Sequence, residues 1–175
     1  SRFGGRTDQE WGKIVSEIAS QPSLTGVILD LRNNPGGYLD GAIDVGSEFI
    51  KDGKVVTQEG RYKNQEYPVN RQGKLVNVPV NVLVNKGSAS ASEIVAGALR
   101  DRRKAKLIGE NTFGKGTVQD ALELDNGAGL HVTVGRWLLP SGEWIHEKGI
   151  KPDIEVVDDE KTPDDEVVIK ALESF

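Results

Sequence analysis

The order of hydrophobic periodicities in this chain predicts an α/β fold: a mixed, mostly parallel sheet covered by helices, with β-hairpins added. Three observations carry that expectation. The apolar run GVILDL at 26–31 is followed by a stretch with helical spacing and then by a second apolar run, PVNVLV at 79–84. A strand–helix–strand order of this kind brings the second strand back parallel to the first. Strand followed by helix recurs at 79–103, and two alternating stretches flank DNGAG at 125–129, a strong turn signal between antiparallel strands.

Each element has its own warrant. Thr7-Asp8-Gln9-Glu10 has the spacing of a capping box, and Trp11, Ile14, Val15, Ile18 and Ala19 follow on one face, which predicts a helix over 7–20. Leu39, Ala42, Ile43, Gly46, Phe49 and Ile50 repeat at three and four, a second helix ending near Asp52-Gly53. Residues 54–58 and 63–69 alternate as a hairpin standing away from the main sheet. Ile94, Val95, Ala98 and Leu99 mark a third helix, 105–108 a buried strand, 117–124 and 130–138 the arms of a hairpin, and 164–175 a short terminal helix. With 175 residues, 37% hydrophobic, the chain can bury one sizeable core, so a single domain over 1–175 is expected.

Composition narrows the function. A net charge of -5 without a basic stripe argues against nucleic acid as a partner. There is no cysteine, hence no disulfide or thiolate chemistry, and neither histidine belongs to a metal-binding cluster, so no metal is expected. No apolar run approaches bilayer length. Methionine is absent, initiator included, which predicts an excised or processed piece.

Chemistry concentrates in NKGSASASEIVAGALRDRRKAKLIGENTFGKGTVQ at 85–119. A tight small-residue turn places Ser90 near the first turn of a helix, where free N–H groups and the positive end of the dipole face any anion formed beside it. Ser88, Ser90 and Ser92 would equally serve as caps or packing residues. A serine hydroxyl needs a base. His131 lies in an alternating strand and His146 in what reads as a solvated turn, and neither has an evident carboxylate orienter. A lysine can act once burial removes its charge. Lys115 fits best, bracketed by Gly114 and Gly116 beside Phe113 and Val118.

Two other readings stand beside this one. GENTFGK at 109–115 matches the first seven positions of a phosphate-binding loop, but Gly116 replaces the metal-binding Ser or Thr and a strand pattern follows where a helix should open. A non-catalytic protein of the same fold, binding peptides or apolar ligands, is the second. It would be expected to lack one of the reactive residue types, and Ser90 and Lys115 are both present.

SASASEI, followed by a basic helix end and FGKGTVQ, together with DLRNNPGG and LPSGEWIHEKGIKPDIEV, resembles the tail-specific, or carboxy-terminal processing, serine proteases, the Ser–Lys peptidases of family S41. The resemblance runs through essentially the whole chain and implies a ClpP/crotonase-like core. It implies Ser90 as nucleophile, Lys115 as general base and Gln119 as the residue orienting the lysine. The amides of Ala91 and of Gly36, or its neighbour Gly37, would form the oxyanion hole, with Glu93 and Asp101 as supporting residues. It further implies a serine endopeptidase without cofactor, acting on unfolded or flexible proteins with apolar C-terminal tails. The expected setting is extracytoplasmic, in a bacterial periplasm or cell envelope or a plastid lumen. Members of the family normally carry a PDZ domain and N-terminal helices before this core, and neither is found in 1–175.

Overall fold

In the computed structural model, which describes residues 2–125, 127–159 and 161–175, the apolar runs lie in a four-stranded parallel sheet. It is built from β1 (Val27–Asp30), β4 (Val80–Val84), β5 (Leu107–Gly109) and β8 (Ile154–Glu155), in the order β1-β4-β5-β8. Every residue of β4 is buried, as a strand covered on both faces requires. α2 (Leu39–Phe49) packs against α3 (Ala91–Arg103) in the main core, with Phe49, Val82, Leu99 and Leu107 wholly enclosed. α4 (Glu166–Leu172) lies against β1, β4 and β5, where Val167 and Ala171 enclose Leu83 and Ile108 in a second, smaller cluster. Asn81, the buried polar residue of β4, donates its Nδ2 hydrogen to the Ala171 carbonyl at 3.0 Å, so its burial leaves no unpaired donor there.

α1 (Thr7–Ala19) docks on α2 through Trp11 and Phe49, whose ring centroids are 6.1 Å apart. The capping box expected at Thr7 is not made. The helix starts one residue earlier, with Arg6 at the cap position and no side-chain cap, because Thr7 Oγ1 accepts instead from the Gly4 amide at 2.8 Å. α4 does have a side-chain cap: Asp165 Oδ1 accepts from the Val168 amide at 3.0 Å. The same carboxylate receives both Nη groups of Arg32, at 3.0 and 2.7 Å, and that guanidinium holds it below the usual carboxylate range.

The second sheet is antiparallel, order β3-β2-β7-β6, made of β2 (Lys54–Gly60), β3 (Asn64–Pro68), β6 (Thr117–Glu123) and β7 (Gly129–Leu138). The 54–68 hairpin thus stands outside the parallel sheet, as expected, but is joined through β2 to β7. β6 and β7 form the expected second hairpin; Asn126 in its turn lies outside the described residues. Most of this hairpin is exposed, including Leu122, Leu130 and Val132.

Candidate active site

The chain leaves β4 at Val84, turns through 85–90 and enters α3 at Ala91. Ser90 caps that helix with φ 56° and ψ -116°, a region that a residue with a Cβ occupies only when its surroundings hold it there. The holding contacts are explicit. Ser88 Oγ donates to the Leu31 carbonyl at 2.8 Å, while the Ala89 amide and Ser92 Oγ both donate to the Asn34 carbonyl, at 3.1 and 2.9 Å. Ser88 and Ser92 are fully buried and committed to these bonds. Ser90 is the half-buried serine of the three, so the structure separates the packing serines from the accessible one.

The NNPGG turn after β1 is the other half of this clasp. The Asn33 amide donates to Asn85 Oδ1 at 2.9 Å and Asn85 Nδ2 donates back to Asn33 Oδ1 at 3.0 Å. Gly36, at φ 92°, lies directly against the serine turn: a Cβ there would come within 2.6 Å of the Ala89 carbonyl and 2.8 Å of the Ala91 nitrogen. Gly36 and Ala91 are therefore neighbours. The Gly36 amide, however, donates to Asn34 Oδ1 at 3.0 Å in a local turn, so it does not face the serine as expected. The amides of Gly37 and Ala91 have no acceptor among the described residues.

Glu93 joins the serine to the lysine loop. Its side chain is fully buried, yet each oxygen is doubly satisfied. Oε1 accepts from Thr112 Oγ1 at 2.5 Å and the Gly114 amide at 2.7 Å, and Oε2 accepts from the amides of Ser90 at 2.8 Å and Lys115 at 2.9 Å. Four donors on one carboxylate make such burial tolerable. Their consequence is geometric: one oxygen atom holds the backbones of Ser90 and Lys115 within two hydrogen-bond lengths of each other. The Phe113 amide adds a bond to the Ser88 carbonyl at 3.0 Å.

The side chains beyond this clamp depart from expectation. Lys115 is exposed rather than buried, and it is the glycines on either side of it that carry the tight packing of this loop. A Cβ on Gly114 would meet the Gly149 nitrogen at 2.7 Å and one on Gly116 the His146 nitrogen at 2.8 Å. Gln119 is exposed on β6, opposite Thr133. Asp101 sits eleven residues along α3 from Ser90, about 16 Å at the helical rise, and accepts the Ser141 amide at 2.9 Å. It supports the 140–142 turn and not the site. His131 is exposed on β7. His146 does lie in a turn, at 146–148, but it is half-buried there, its ring stacked on Trp144 with centroids 5.4 Å apart, beside Gly116. No cluster of metal-ligating residues occurs among the described residues, and no helix among them is long and apolar enough to cross a membrane.

A serine in a strained turn at a helix start, tied to a lysine loop through one buried carboxylate, has a counterpart in known proteins. Residues 1–156 match the family model described as peptidase family S41. The chain belongs to this family. It is 50% identical over 154 residues to the carboxy-terminal processing protease CtpA of Bacillus subtilis, covering 87% of this chain and 33% of that protein. A CtpA-like serine protease of Staphylococcus aureus is 45% identical over 141 residues, 79% of this chain and 28% of its own. Among solved structures, the photosystem II D1 C-terminal processing protease superposes with a TM-score of 0.82 at 34% identity, covering 89% of this chain and 40% of that one. The S41 chain here thus spans about a third of the length of these curated relatives.

Proposed function

We propose that this chain is the core of a serine endopeptidase in which Ser90 attacks a peptide carbonyl and Lys115 takes its proton. The observation that carries the reading is the Glu93 carboxylate, whose Oε2 binds the amides of both residues. A buried carboxylate spent on aligning a strained serine with a lysine loop has a purpose in a Ser–Lys site, and none in a phosphate-binding loop. In addition, Thr117 opens a strand, where a phosphate-binding loop would open a helix.

The Ala91 and Gly37 amides are the oxyanion donors in this reading, each worth about 3–4 kcal/mol of barrier. Gly36 contributes the close backbone approach of its turn to Ala91. Gln119, on the strand that leaves the lysine loop, orients the Lys115 amine. Substrate laid over the loop excludes water from the amine and lowers the cost of its neutral form. Tyr38 and Phe113, both strongly exposed on the loops that flank Ser90, suit apolar side chains near the cleaved bond. The relatives' names support action near protein C-termini, and an extracytoplasmic setting remains part of the proposal, as does a PDZ domain working in cis on the substrate tail.

Replacing Ser90 with Ala is expected to reduce cleavage of an unfolded protein such as casein by at least 10³-fold while leaving the thermal midpoint within a few degrees. Cleavage by the variant at the parent rate removes Ser90 as the nucleophile.

A further inference from the structure

Beside the lysine loop, the antiparallel sheet carries a cationic cavity of about 340 Å³ that the Ser–Lys reading does not use. Trp144 Nε1 donates to the Gly116 carbonyl at 3.0 Å, which fixes the indole next to the residue that follows Lys115. The Arg136 guanidinium lies 4.9 Å over that indole, and its Nε is ion-paired with Glu59. Stacking and ion pair together set the orientation of the guanidinium. Its two Nη groups have no acceptor among the described residues. Arg61 lines the same cavity, its guanidinium 5.3 Å over the Tyr62 ring and without a carboxylate among the described residues. Two guanidinium groups against one carboxylate leave the cavity net positive.

An arginine held by its Nε, with both Nη groups open, presents the planar fork that carboxylates accept bidentately. Because the fork is already positioned, a ligand need not order it on binding. We infer that Arg136 and Arg61 form a subsite, adjacent to Lys115, that takes a carboxylate of the peptide substrate, either its terminal α-carboxylate or an acidic side chain. The inference rests on the peptidase reading for the word substrate, and binding tests it independently of cleavage.

The Ser90→Ala chain is titrated with an apolar-ended peptide, labelled at its N-terminus, in three forms: free acid, C-terminal amide, and amide with Asp at the penultimate position. Fluorescence anisotropy is expected to show at least tenfold tighter binding of a carboxylate form than of the plain amide. The free acid wins if the terminal group is the ligand, the Asp peptide if the side chain is. In Arg61→Gln and in Arg136→Lys, which keeps the charge and loses the fork, that ratio should fall several-fold. Equal binding of the three peptides, no binding of any, or a ratio unchanged in both variants overturns the subsite. Carboxylate-selective binding in a parent chain that cleaves nothing would instead remove the peptidase reading and leave the subsite standing.

Discussion

The serine turn and the β6–β7 hairpin are built to opposite standards, though the residues they carry are proposed to act on one proton. Ser90 sits at the start of α3, where the turn that follows a wholly buried strand ends, among Ser88, Ser92 and Glu93, all enclosed and hydrogen-bonded. Gln119 and most of the hairpin around it are exposed on both faces, and Lys115 at its root is open to solvent. The nucleophile is thus held by the core, where a strained backbone can be maintained, while the base stands on a loop whose backbone Glu93 and the 145–149 segment hold and whose side chain is open to solvent. Glu93 is the link between the two regimes. Disturbing the buried groups that hold the serine, Glu93 above all, should damage stability and activity together, while disturbing the hairpin should leave stability nearly intact.

The largest expected effect is at the link itself. In Glu93→Gln one acceptor oxygen becomes a donor facing two N–H or O–H donors, leaving buried groups unpaired. We expect a stability loss of about 2–4 kcal/mol in urea unfolding and loss of activity in the fraction that remains folded. A Gln variant as stable as the parent would break the distinction between the two regions.

A smaller effect on the core side sharpens it. Asp165→Ala removes the α4 cap and the Arg32 pair, a loss of about 1 kcal/mol at neutral pH. Since Arg32 lowers the carboxyl in the folded state, its contribution is complete above the free-carboxylate value near 3.9 and disappears as pH falls through the lower folded value. The difference in stability between parent and variant should therefore be constant above about pH 5 and shrink below about pH 4. A difference that grows on acidification would contradict the assigned ion pair. The smallest effect belongs to the hairpin: Leu122→Thr on its exposed face should shift stability by no more than about 0.5 kcal/mol in the same unfolding experiment. A loss of several kcal/mol there would mean that the hairpin is part of the core.

Much of this division was legible in the sequence. PVNVLV announced a strand buried on both faces, SASASEI a serine turn opening a helix, and FGKGTVQ a loop running into a strand. Local periodicity and turn chemistry act over a few residues, and the elements they define fell within a few positions of expectation. What could not be read were pairings between distant segments. Thr7 satisfies Gly4 instead of capping its helix, and Asn34 claims the Gly36 amide, although both residues fit the expected motifs. Asp101 lies on the right helix but a full helix length too far along it. The Glu59, Arg136 and Trp144 assembly draws on β2, β7 and the loop after them, and no local pattern signals it. Glu93 had one signal available: Ser-x-x-Glu at a helix start is a capping-box spacing, and its carboxylate does accept the Ser90 amide.

The central claim, that Lys115 activates Ser90, is tested most directly by covalent labelling. The chain is treated with an organophosphonate, and the modified residue and its rate of modification are read by mass spectrometry of peptides from the parent and from Lys115→Ala. A label on Ser90 alone is expected, formed at least 100-fold more slowly in the variant. A label on another serine, or a Ser90 rate unaffected by the loss of Lys115, would contradict it.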